Sequence, residues 1–335
     1  MVNFWKSKNV LITGATGFIG SWLTETLVKN NANVTVLVKK NDPFRENAIK
    51  HLKKDIKIAY GDIRDERLIE TLVKKREIIF HLAAITQVLY SIKNPEETIA
   101  VNLGGTFNTL EGMRKSNRNQ FLVYVSTDKV YGEPKYLPID ENHPLSAESP
   151  YDATKVAADR LVYAYHRTYG IRATILRWSN TYGGRDANLL RAVPDFITSV
   201  LNNKPPVIRG HGKHLRDFLY INDVINAILL ASEKQSSSNG EVFNLGTKKP
   251  TSINELANLI IKLSNCKTKP IILGRDTPGE INRQYLEFEK AKKILGWEPK
   301  IDLEKGLKMA INWYKENSWW KNVMKRVNKF YGIKI

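Results

Sequence analysis

Short apolar runs alternate along this chain with stretches whose hydrophobic residues recur at helical spacing. Runs rich in valine, isoleucine and leucine at this length are typical of strands buried on both faces of a parallel sheet. Their alternation with helices indicates right-handed βαβ units. We therefore predict an α/β protein with a Rossmann-type, doubly wound parallel sheet. The predicted strands are residues 10–13, 33–38, 56–60, 77–82, 120–125, 172–177 and 242–246.

The composition changes after residue 184, where prolines and a glycine-rich loop interrupt the strand rhythm. This part is interpreted as an insertion with a helix over about 189–201, and the chain after residue 250 as mostly helical. We predict two domains on this basis. The NAD(P)-binding domain comprises residues 1–177 and about 217–249, and a smaller, mixed C-terminal substrate-binding lobe comprises about 178–216 and 250–335.

Composition and charge narrow the class of protein. The 335 residues carry a formal net charge of +18, but the lysines are scattered, which argues against nucleic acid and membrane surfaces as partners. We find no apolar run long enough to span a bilayer and no signal peptide. The single cysteine, Cys266, excludes a disulfide framework and fits a cytoplasmic protein. The basic, aromatic segment 319–335 is expected to pack on the second lobe.

A glycine-rich turn follows the first predicted strand. Gly14, Gly17 and Gly20 lie between that strand and an amphipathic helix, which is the context that a dinucleotide fingerprint requires. Gly14 allows the tight turn, Gly17 lets the backbone approach a pyrophosphate, and Gly20 lets the helix pack against the strand. The phosphates then lie at the helix N-terminus, where free N–H groups and the helix dipole favour anions. The sequence therefore predicts a site for NAD or NADP.

The end of the second predicted strand does not decide between these two cofactors. NAD-selective proteins usually carry an acidic residue there, which binds the ribose 2′-hydroxyl. Here Lys39 and Lys40 follow the strand, Arg45 is near, and the first carboxylate is Asp42. This pattern favours a 2′-phosphate, although ordinary surface lysines explain it more simply. Asp62, after the third strand, is expected to contact the adenine.

The stretch 126–155 carries the candidate chemistry. Thr127 follows the fifth predicted strand, at the carboxyl edge where open α/β sheets bind ligands. Ser149 can cap the next helix, so Tyr151 and Lys155 share one helix face. A phenol titrates at about 10, and a neighbouring ammonium favours its phenolate. We therefore predict that Tyr151 is a base assisted by Lys155, and that Thr127 binds the same substrate hydroxyl.

Taken together, the motifs resemble the extended short-chain dehydrogenase/reductase family, in particular its nucleotide-sugar epimerases and dehydratases. The resemblance extends from residue 10 to about residue 310. The motifs that carry it are Gly14-x-x-Gly17-x-x-Gly20, His81-Leu82-Ala83-Ala84, Ser126-Thr127-Asp128, Tyr151-x-x-x-Lys155, Asn180-x-Tyr182-Gly183 and Arg216-Asp217-Phe218.

The resemblance implies a redox triad of Thr127, Tyr151 and Lys155 and a tightly held nicotinamide cofactor. The expected cofactor contacts are Gly14, Thr16, Gly17, Phe18, Ile19, Gly20, Lys39, Asp62, Ile63, Leu82, Ala83, Ala84, Asn102, Tyr151 and Lys155. The expected substrate contacts are Thr86, Thr127, Asn180, Arg216 and Arg283, of which the last is equally well explained as a surface residue. An arginine suits a substrate diphosphate because its guanidinium forks onto phosphate oxygens.

Two reactions of this family remain open. In both, the tyrosine takes the proton of the sugar C4 hydroxyl while hydride passes to the cofactor. An epimerase then needs no further groups, whereas a 4,6-dehydratase needs an acid at C6 and a base at C5. Asp128 and Lys129 follow Thr127 and resemble the Thr-Asp-Lys of CDP-glucose 4,6-dehydratases, which makes the dehydratase our main hypothesis. A simple ion pair between Asp128 and Lys129 would leave an epimerase, and the nucleobase stays open.

The remaining expectations concern partners. The resemblance implies a homodimer through a four-helix bundle, formed by the helices that begin near Pro95 and Ser149. His211 and His214 lie in a glycine loop without further ligands, so we predict no metal site. A non-catalytic NAD(P)-binding regulator on the same fold is a third hypothesis, which the retained tyrosine and lysine disfavour.

Overall fold

The protein is described here by a computed structural model that covers residues 3–40, 47–275 and 280–332. Arg45 and Asp42, which bear on the cofactor's 2′ position, lie outside the described residues. The strands in chain order are β1 (Asn9–Thr13), β2 (Asn33–Val38), β3 (Ile56–Tyr60), β4 (Ile78–His81), β5 (Phe121–Val125), β6 (Arg172–Trp178), β7 (Asn180–Tyr182), β8 (Val207–Ile208), β9 (Leu215–Arg216), β10 (Phe218–Tyr220), β11 (Val242–Leu245), β12 (Thr251–Ser252), β13 (Ile271–Ile272) and β14 (Arg283–Gln284).

Helices cover both faces of the main sheet and make up most of the chain after β11. In chain order they are α1 (Phe18–Lys29), α2 (Glu66–Lys74), α3 (Val88–Lys93), α4 (Pro95–Ile99), α5 (Gly105–Ser116), α6 (Pro150–Tyr169), α7 (Ala192–Leu201), α8 (Ile221–Glu233), α9 (Gln235–Ser238), α10 (Ile253–Leu263), α11 (Glu289–Leu295), α12 (Leu303–Glu316) and α13 (Trp320–Phe330).

The main sheet has seven parallel strands in the spatial order β3-β2-β1-β4-β5-β6-β11. Each of these strands falls where an apolar run predicted one, and the predicted fold class is confirmed. The chain reverses its direction of strand addition between β1 and β4. In open α/β sheets, ligands bind at the carboxyl ends of the strands at such a switch point. The topology therefore places the candidate site above β1, β4 and β5.

The helix that was predicted to begin near Pro95 is interrupted in the structure. A π-helical turn, Ala100–Gly104, separates α4 from α5. Asn102 lies in this turn, and its amide bonds both backbone polar groups of Ile85 and the hydroxyl of Thr154. Gly105 then passes close to Ile63, where a Cβ would lie 2.7 Å from the Ile63 Cγ1. Such π turns occur often at functional sites, and this one fixes the loop after β4.

In the described part of the chain, three small sheets accompany the helices that follow β6. They pair β7 with β10, β8 with β13, and β9 with both β12 and β14. Most of these strands have only two residues, too short to show an alternating pattern in the sequence. The prediction of a mostly helical chain after residue 250 therefore missed β12, β13 and β14.

The C-terminal helix α13 packs against the body of the protein, as predicted. Trp320, Val323, Met324 and Val327 are buried on one side of it. Its lysines lie on the other side, so the basic character of this segment belongs to its solvent face. Among the described residues, no helix is long and apolar enough to cross a membrane.

Trp297 gives a test of how much the packing beyond the main sheet contributes to stability. Its ring is fully buried and its Nε1 donates to the Asp223 carbonyl at 2.9 Å. Trp297→Ala should lower the free energy of unfolding by about 3–5 kcal/mol, because it leaves a cavity. Trp319→Ala, at a ring that is 47% exposed, should change it by less than about 0.5 kcal/mol. Urea unfolding of both variants measures this, and equal losses would contradict the assignment of the core.

Candidate active site

A cleft of about 820 Å³ opens at the carboxyl ends of β1, β4 and β5. It runs from the glycine turn after β1 to the segments that follow β6. Twenty of the predicted site residues line it, and they lie between Gly14 and Arg216 in the sequence. They are Gly14, Thr16, Gly17, Phe18, Ile19, Gly20, Lys39, Asp62, Ile63, Leu82, Ala83, Ala84, Thr86, Thr127, Asp128, Lys129, Tyr151, Lys155, Asn180 and Arg216.

Two predicted residues are not brought into this cleft. Asn102 is buried and holds the loop after β4 through both backbone polar groups of Ile85, and its expected contact with the cofactor stays a prediction. Arg283 is exposed on β14, which pairs with β9. Its neighbour Gln284 is the buried residue of that strand and points toward Asp128. Alternate residues of a strand face opposite sides, so Gln284 points toward Asp128 and Arg283 points away from it, and the predicted substrate contact of Arg283 stays a prediction.

The glycine turn fits a dinucleotide pyrophosphate. Gly14 has a φ of +75°, and a Cβ there would lie 2.8 Å from the Ala83 nitrogen. A Cβ on Gly20 would collide with the Gly14 carbonyl, so this residue must be glycine for α1 to pack. A Cβ on Gly17 would meet only the Gly14 carbonyl, at 3.4 Å. Gly17 is also the N-cap of α1, where no side chain caps the helix. Its first N–H groups are therefore available to phosphate oxygens.

The far end of the cofactor part of the cleft carries both signs of charge. Arg64 donates two hydrogen bonds to the Asp62 carboxylate, at 2.9 and 2.7 Å. These bonds lower the pKa of Asp62. The Lys39 Nζ lies 3.8 Å from Asp62 and 3.5 Å from Glu97. The geometry is compatible with a ribose 2′-hydroxyl or a 2′-phosphate, so the choice between NAD and NADP stays open.

Tyr151 and Thr127 meet in the middle of the cleft. Ser149 caps α6 by accepting from the Asp152 N–H, as the sequence predicted, and Tyr151 lies in the first turn. Burial raises the pKa of the Tyr151 hydroxyl, and the charge of Asp152 raises it further. Arg191 and a hydrogen bond with Thr127 act in the opposite direction. Arg191 was missed because the sequence offers only its position in a loop before α7.

Lys155 lies one helical turn below Tyr151, and its ammonium is held at the end of β5. Its Nζ donates to the Tyr124 hydroxyl at 2.8 Å and to the Val125 carbonyl at 2.6 Å. Burial lowers its pKa to about 7. In the described part of the chain the ammonium does not hydrogen-bond Tyr151 directly, so the predicted assistance has to act through space or through a bound ligand.

Asp128 is the most unusual carboxyl group of the site. It is only 3% exposed, and burial raises its pKa although the charge of Lys129 acts against this. Its Oδ1 accepts from the Thr127 hydroxyl at 3.2 Å. Its Oδ2 is buried and has no hydrogen-bond partner among the described residues. A carboxyl group in this state is biased toward its neutral form, which can donate a proton.

Lys129 does not form the simple ion pair with Asp128 that the sequence left open. Its Nζ donates to the Gln284 Oε1 at 3.0 Å. The Gln284 amide in turn donates to the Asp128 carbonyl at 3.0 Å. Gln284 of β14 therefore binds both the Lys129 side chain and the Asp128 backbone. In the described part of the chain, the Lys129 ammonium does not pair with the Asp128 carboxyl group.

Two residues that were predicted to bind the substrate's diphosphate line the cleft from β7 and β9. The Asn180 Nδ2 is buried and has no hydrogen-bond partner among the described residues. The largely buried Arg216 guanidinium forms an ion pair with Glu280 at 3.1 Å. An amide donor without a partner and a buried arginine suit an anionic ligand.

The chain matches known proteins along most of its length. The family described as GDP-mannose 4,6 dehydratase matches residues 11–310. The chain belongs to this family. This family comprises nucleotide-sugar dehydratases and epimerases of the extended short-chain dehydrogenase/reductase type, which is the resemblance that the motifs indicated.

The relatives of this chain include proteins named as epimerases and proteins named as dehydratases. A putative UDP-glucose 4-epimerase of Methanocaldococcus jannaschii is 39% identical over 92% of this chain and 99% of its own. Human dTDP-D-glucose 4,6-dehydratase is 33% identical over 97% of this chain and 95% of its own. The solved dTDP-glucose 4,6-dehydratase of Bacillus anthracis, in complex with NAD, has a TM-score of 0.85 and 31% identity, and covers 95% of this chain and 100% of its own.

The glycine turn can be tested by two matched substitutions. Gly17→Val should leave the fold intact and weaken dinucleotide binding at least about tenfold, because its side chain would take the place of phosphate oxygens. Gly20→Val should instead destabilise the whole protein, since its Cβ collides with the Gly14 carbonyl. Titration with NADH and NADPH, with thermal unfolding as the control, separates the two effects. Unchanged affinity in a folded Gly17→Val variant would contradict the placement of the pyrophosphate.

Proposed function

We propose that the protein is an NAD(P)-dependent nucleotide-sugar 4,6-dehydratase, which makes a 4-keto-6-deoxy hexose. The observation that carries this proposal is the buried carboxyl group of Asp128, which lines the cleft next to Thr127 and has an oxygen without a partner in the described chain. A dehydratase needs a neutral acid at this point, and an epimerase does not.

The first step uses Tyr151 and Thr127. Thr127 hydrogen-bonds the sugar C4 hydroxyl, and Tyr151 removes its proton as the C4 carbon is oxidised to a ketone. When bound, the nicotinamide ring supplies hydride transfer, taking hydride from C4 and returning it to C6. Burial disfavours the phenolate of Tyr151. In this proposal the positive charges of Arg191 and Lys155 stabilise the phenolate.

The second step removes water from C5 and C6. The C4 ketone makes the C5 proton acidic, and Lys129 in its neutral form accepts that proton. Asp128 gives its proton to the C6 hydroxyl, which leaves as water, and a C5–C6 double bond conjugated with the ketone forms. Once C6 has been reduced, the Lys129 ammonium returns its proton to C5, which gives the 4-keto-6-deoxy product. Asp128 and Lys129 are consecutive residues of the turn that follows Thr127, so this turn supplies both the acid and the base of the step.

The substrate's diphosphate is assigned to Asn180 and Arg216. Arg216 carries Glu280 as its ionic partner, and an incoming phosphate oxygen replaces that carboxylate. A planar guanidinium binds phosphate in two places at once, which orients the hexose toward Tyr151. The identity of the nucleobase stays open between CDP, UDP, GDP and dTDP sugars.

A nucleotide-sugar 4-epimerase is the second candidate. It is favoured by the engagement of Lys129 with Gln284 and by the M. jannaschii relative, whose name is that of an epimerase. In an epimerase the same Tyr151 step is followed by return of hydride to the other face of C4, and Asp128 has no role. A non-catalytic regulator is disfavoured because Tyr151, Lys155 and Thr127 all line one cleft.

Mass spectrometry of products from a panel of nucleotide hexoses tests the proposal. The dehydratase yields a product lighter by one water, whereas an epimerase yields an isomer of unchanged mass. Asp128→Asn should slow water loss by about 10²–10⁴-fold, the usual worth of a general acid, while deuterium at C4 still transfers to the cofactor. Lys129→Ala should do the same, and Tyr151→Phe should abolish both steps.

The outcomes separate the roles of these residues. If the Asp128→Asn and Lys129→Ala variants remove water from the substrate at the wild-type rate, neither residue has a role in dehydration. If no hexose of the panel changes mass and one of them is epimerised, the second candidate replaces the first.

We also propose that two copies of the chain associate through α4, α5 and α6. Ile99 and Phe107 are 50% and 45% exposed, and with the half-buried Leu103 they form a stripe at four-residue spacing. Such a stripe on neighbouring helices suits a four-helix bundle with a second copy. The sequence-based prediction of a cytoplasmic location remains a prediction.

The dimer can be tested by introducing a charge into this stripe. Phe107→Glu should convert the dimer to a monomer, because burying a carboxylate in an apolar interface is costly. Ile271→Glu, which replaces an equally exposed apolar residue on β13, is the matched control and should stay dimeric. Light scattering after size exclusion gives the mass. A wild-type monomer, or a dimer that tolerates Phe107→Glu, would refute this interface.

A further inference from the structure

The C-terminal helix α13 contributes a wall to the cleft. It begins at Trp320, beyond the residues 11–310 that match the family. Val327, Phe330 and Tyr331 nevertheless line the same cleft as the glycine turn and Tyr151. The basic, aromatic segment that stood out in the sequence therefore supplies part of the site, in addition to packing on the body of the protein.

The first attachment of α13 is to the loop that follows β7. Asn328 is fully buried, and its Nδ2 donates to the Ala187 carbonyl at 2.9 Å. Its Oδ1 accepts from the Leu189 N–H at 3.2 Å. These bonds satisfy both ends of the amide and fix the helix to a loop that also lines the cleft through Asn188 and Leu190.

The second attachment is on the cofactor side of the cleft, at α3. The ring of Tyr90 stacks on Phe330 with centroids 6.2 Å apart, and meets Tyr331 edge-on at 5.2 Å. All three rings line the cleft, and Phe330 is 45% exposed. We name these three side chains the aromatic latch. Asn328 and the latch lie within one turn of each other, so together they fix the C-terminal end of α13 between the loop after β7 and α3, at the wall of the cleft.

The latch is connected to the adenosine end of the cofactor part of the cleft. The Tyr90 hydroxyl donates to Glu97 at 2.6 Å. The other oxygen of Glu97 lies 3.5 Å from the Lys39 Nζ, which is also next to Asp62. Tyr90 thus links the end of α13 to the two residues expected to hold the adenosine half of the cofactor.

We propose that α13 is a strap that retains the dinucleotide, and that the latch of Tyr90, Phe330 and Tyr331 must open before the cofactor can leave. This inference rests on the dinucleotide binding on which the proposed function depends. A dinucleotide seated on the glycine turn extends toward Lys39 and Asp62, under the latch. The strap therefore slows release more than it changes the binding of the sugar nucleotide, which Asn180 and Arg216 hold on the other side.

The release rate of the reduced cofactor tests the proposal. Protein loaded with NADH or NADPH is mixed with an excess of the oxidised form, and the fall in nicotinamide fluorescence is followed by stopped flow. The double variant Phe330→Ala/Tyr331→Ala and the single variant Tyr90→Ala should release the cofactor about tenfold faster, because aromatic contacts are lost. Tyr90→Phe keeps the ring and should release it slowly, as wild type does. Trp319→Ala removes an exposed aromatic ring of the same segment and is the matched control.

The affinity for UDP, measured by calorimetry on the same proteins, is the second readout. It should stay within about twofold of wild type in every variant. Release rates of the double variant or of Tyr90→Ala that equal the wild-type rate overturn the strap, as does an effect on UDP affinity alone. Should the double variant fail to fold, as seen by circular dichroism, Tyr90→Ala decides the matter by itself. A wild-type protein that binds neither dinucleotide overturns this inference together with the proposed function.

Discussion

A buried ion pair between Arg177 of β6 and Asp159 of α6 holds the catalytic part of the molecule together. The Arg177 Nε and Nη2 donate to both oxygens of Asp159, at 2.9 and 2.7 Å, and both side chains are almost fully buried. Ser126, the residue before Thr127, donates to the same carboxylate at 2.8 Å. Arg177 also donates to the Tyr131 hydroxyl. Removing one partner of such a pair costs about 3–5 kcal/mol, because a buried charge is left alone.

This pair fixes the geometry of the site through the backbone. Asp159 lies on the same helix as Tyr151 and Lys155, one turn beyond Lys155. Through Ser126 it sets the position of Thr127, so the two halves of the predicted redox group are joined below the cleft. Its negative charge also opposes the effect of burial on Lys155, whose pKa would otherwise be lower still. The ion pair is therefore both a mechanical connection and part of the electrostatic field of the site.

The sequence predicted those parts of the site that follow from regular structure. Apolar runs marked the seven strands of the main sheet, and strand ends and helix spacing located Thr127, Tyr151 and Lys155. Residues carried by loops or two-residue strands gave no such signal. Arg191 and Glu280 are of this kind, because no period identifies which residues of these segments face the cleft. Arg283 and Gln284 illustrate the difficulty, because in a strand a shift of one position exchanges one face for the other. The turn at Asn102 was hidden inside an apparently continuous helix.

The last strand of the main sheet has a consequence for the order in which the protein folds. β11 pairs with β6 although residues 179–241 lie between them. Asn244 of β11 accepts a hydrogen bond from the Tyr131 hydroxyl at 2.6 Å, and Tyr131 is bonded to Arg177. Closing so long a segment costs chain entropy before any contact compensates for it, and such distant pairings form slowly. A chain whose first six strands have paired would hold Tyr131 through Arg177 alone, so the turn that carries Asp128 and Lys129 gains its second support, Asn244, only when β11 joins the sheet.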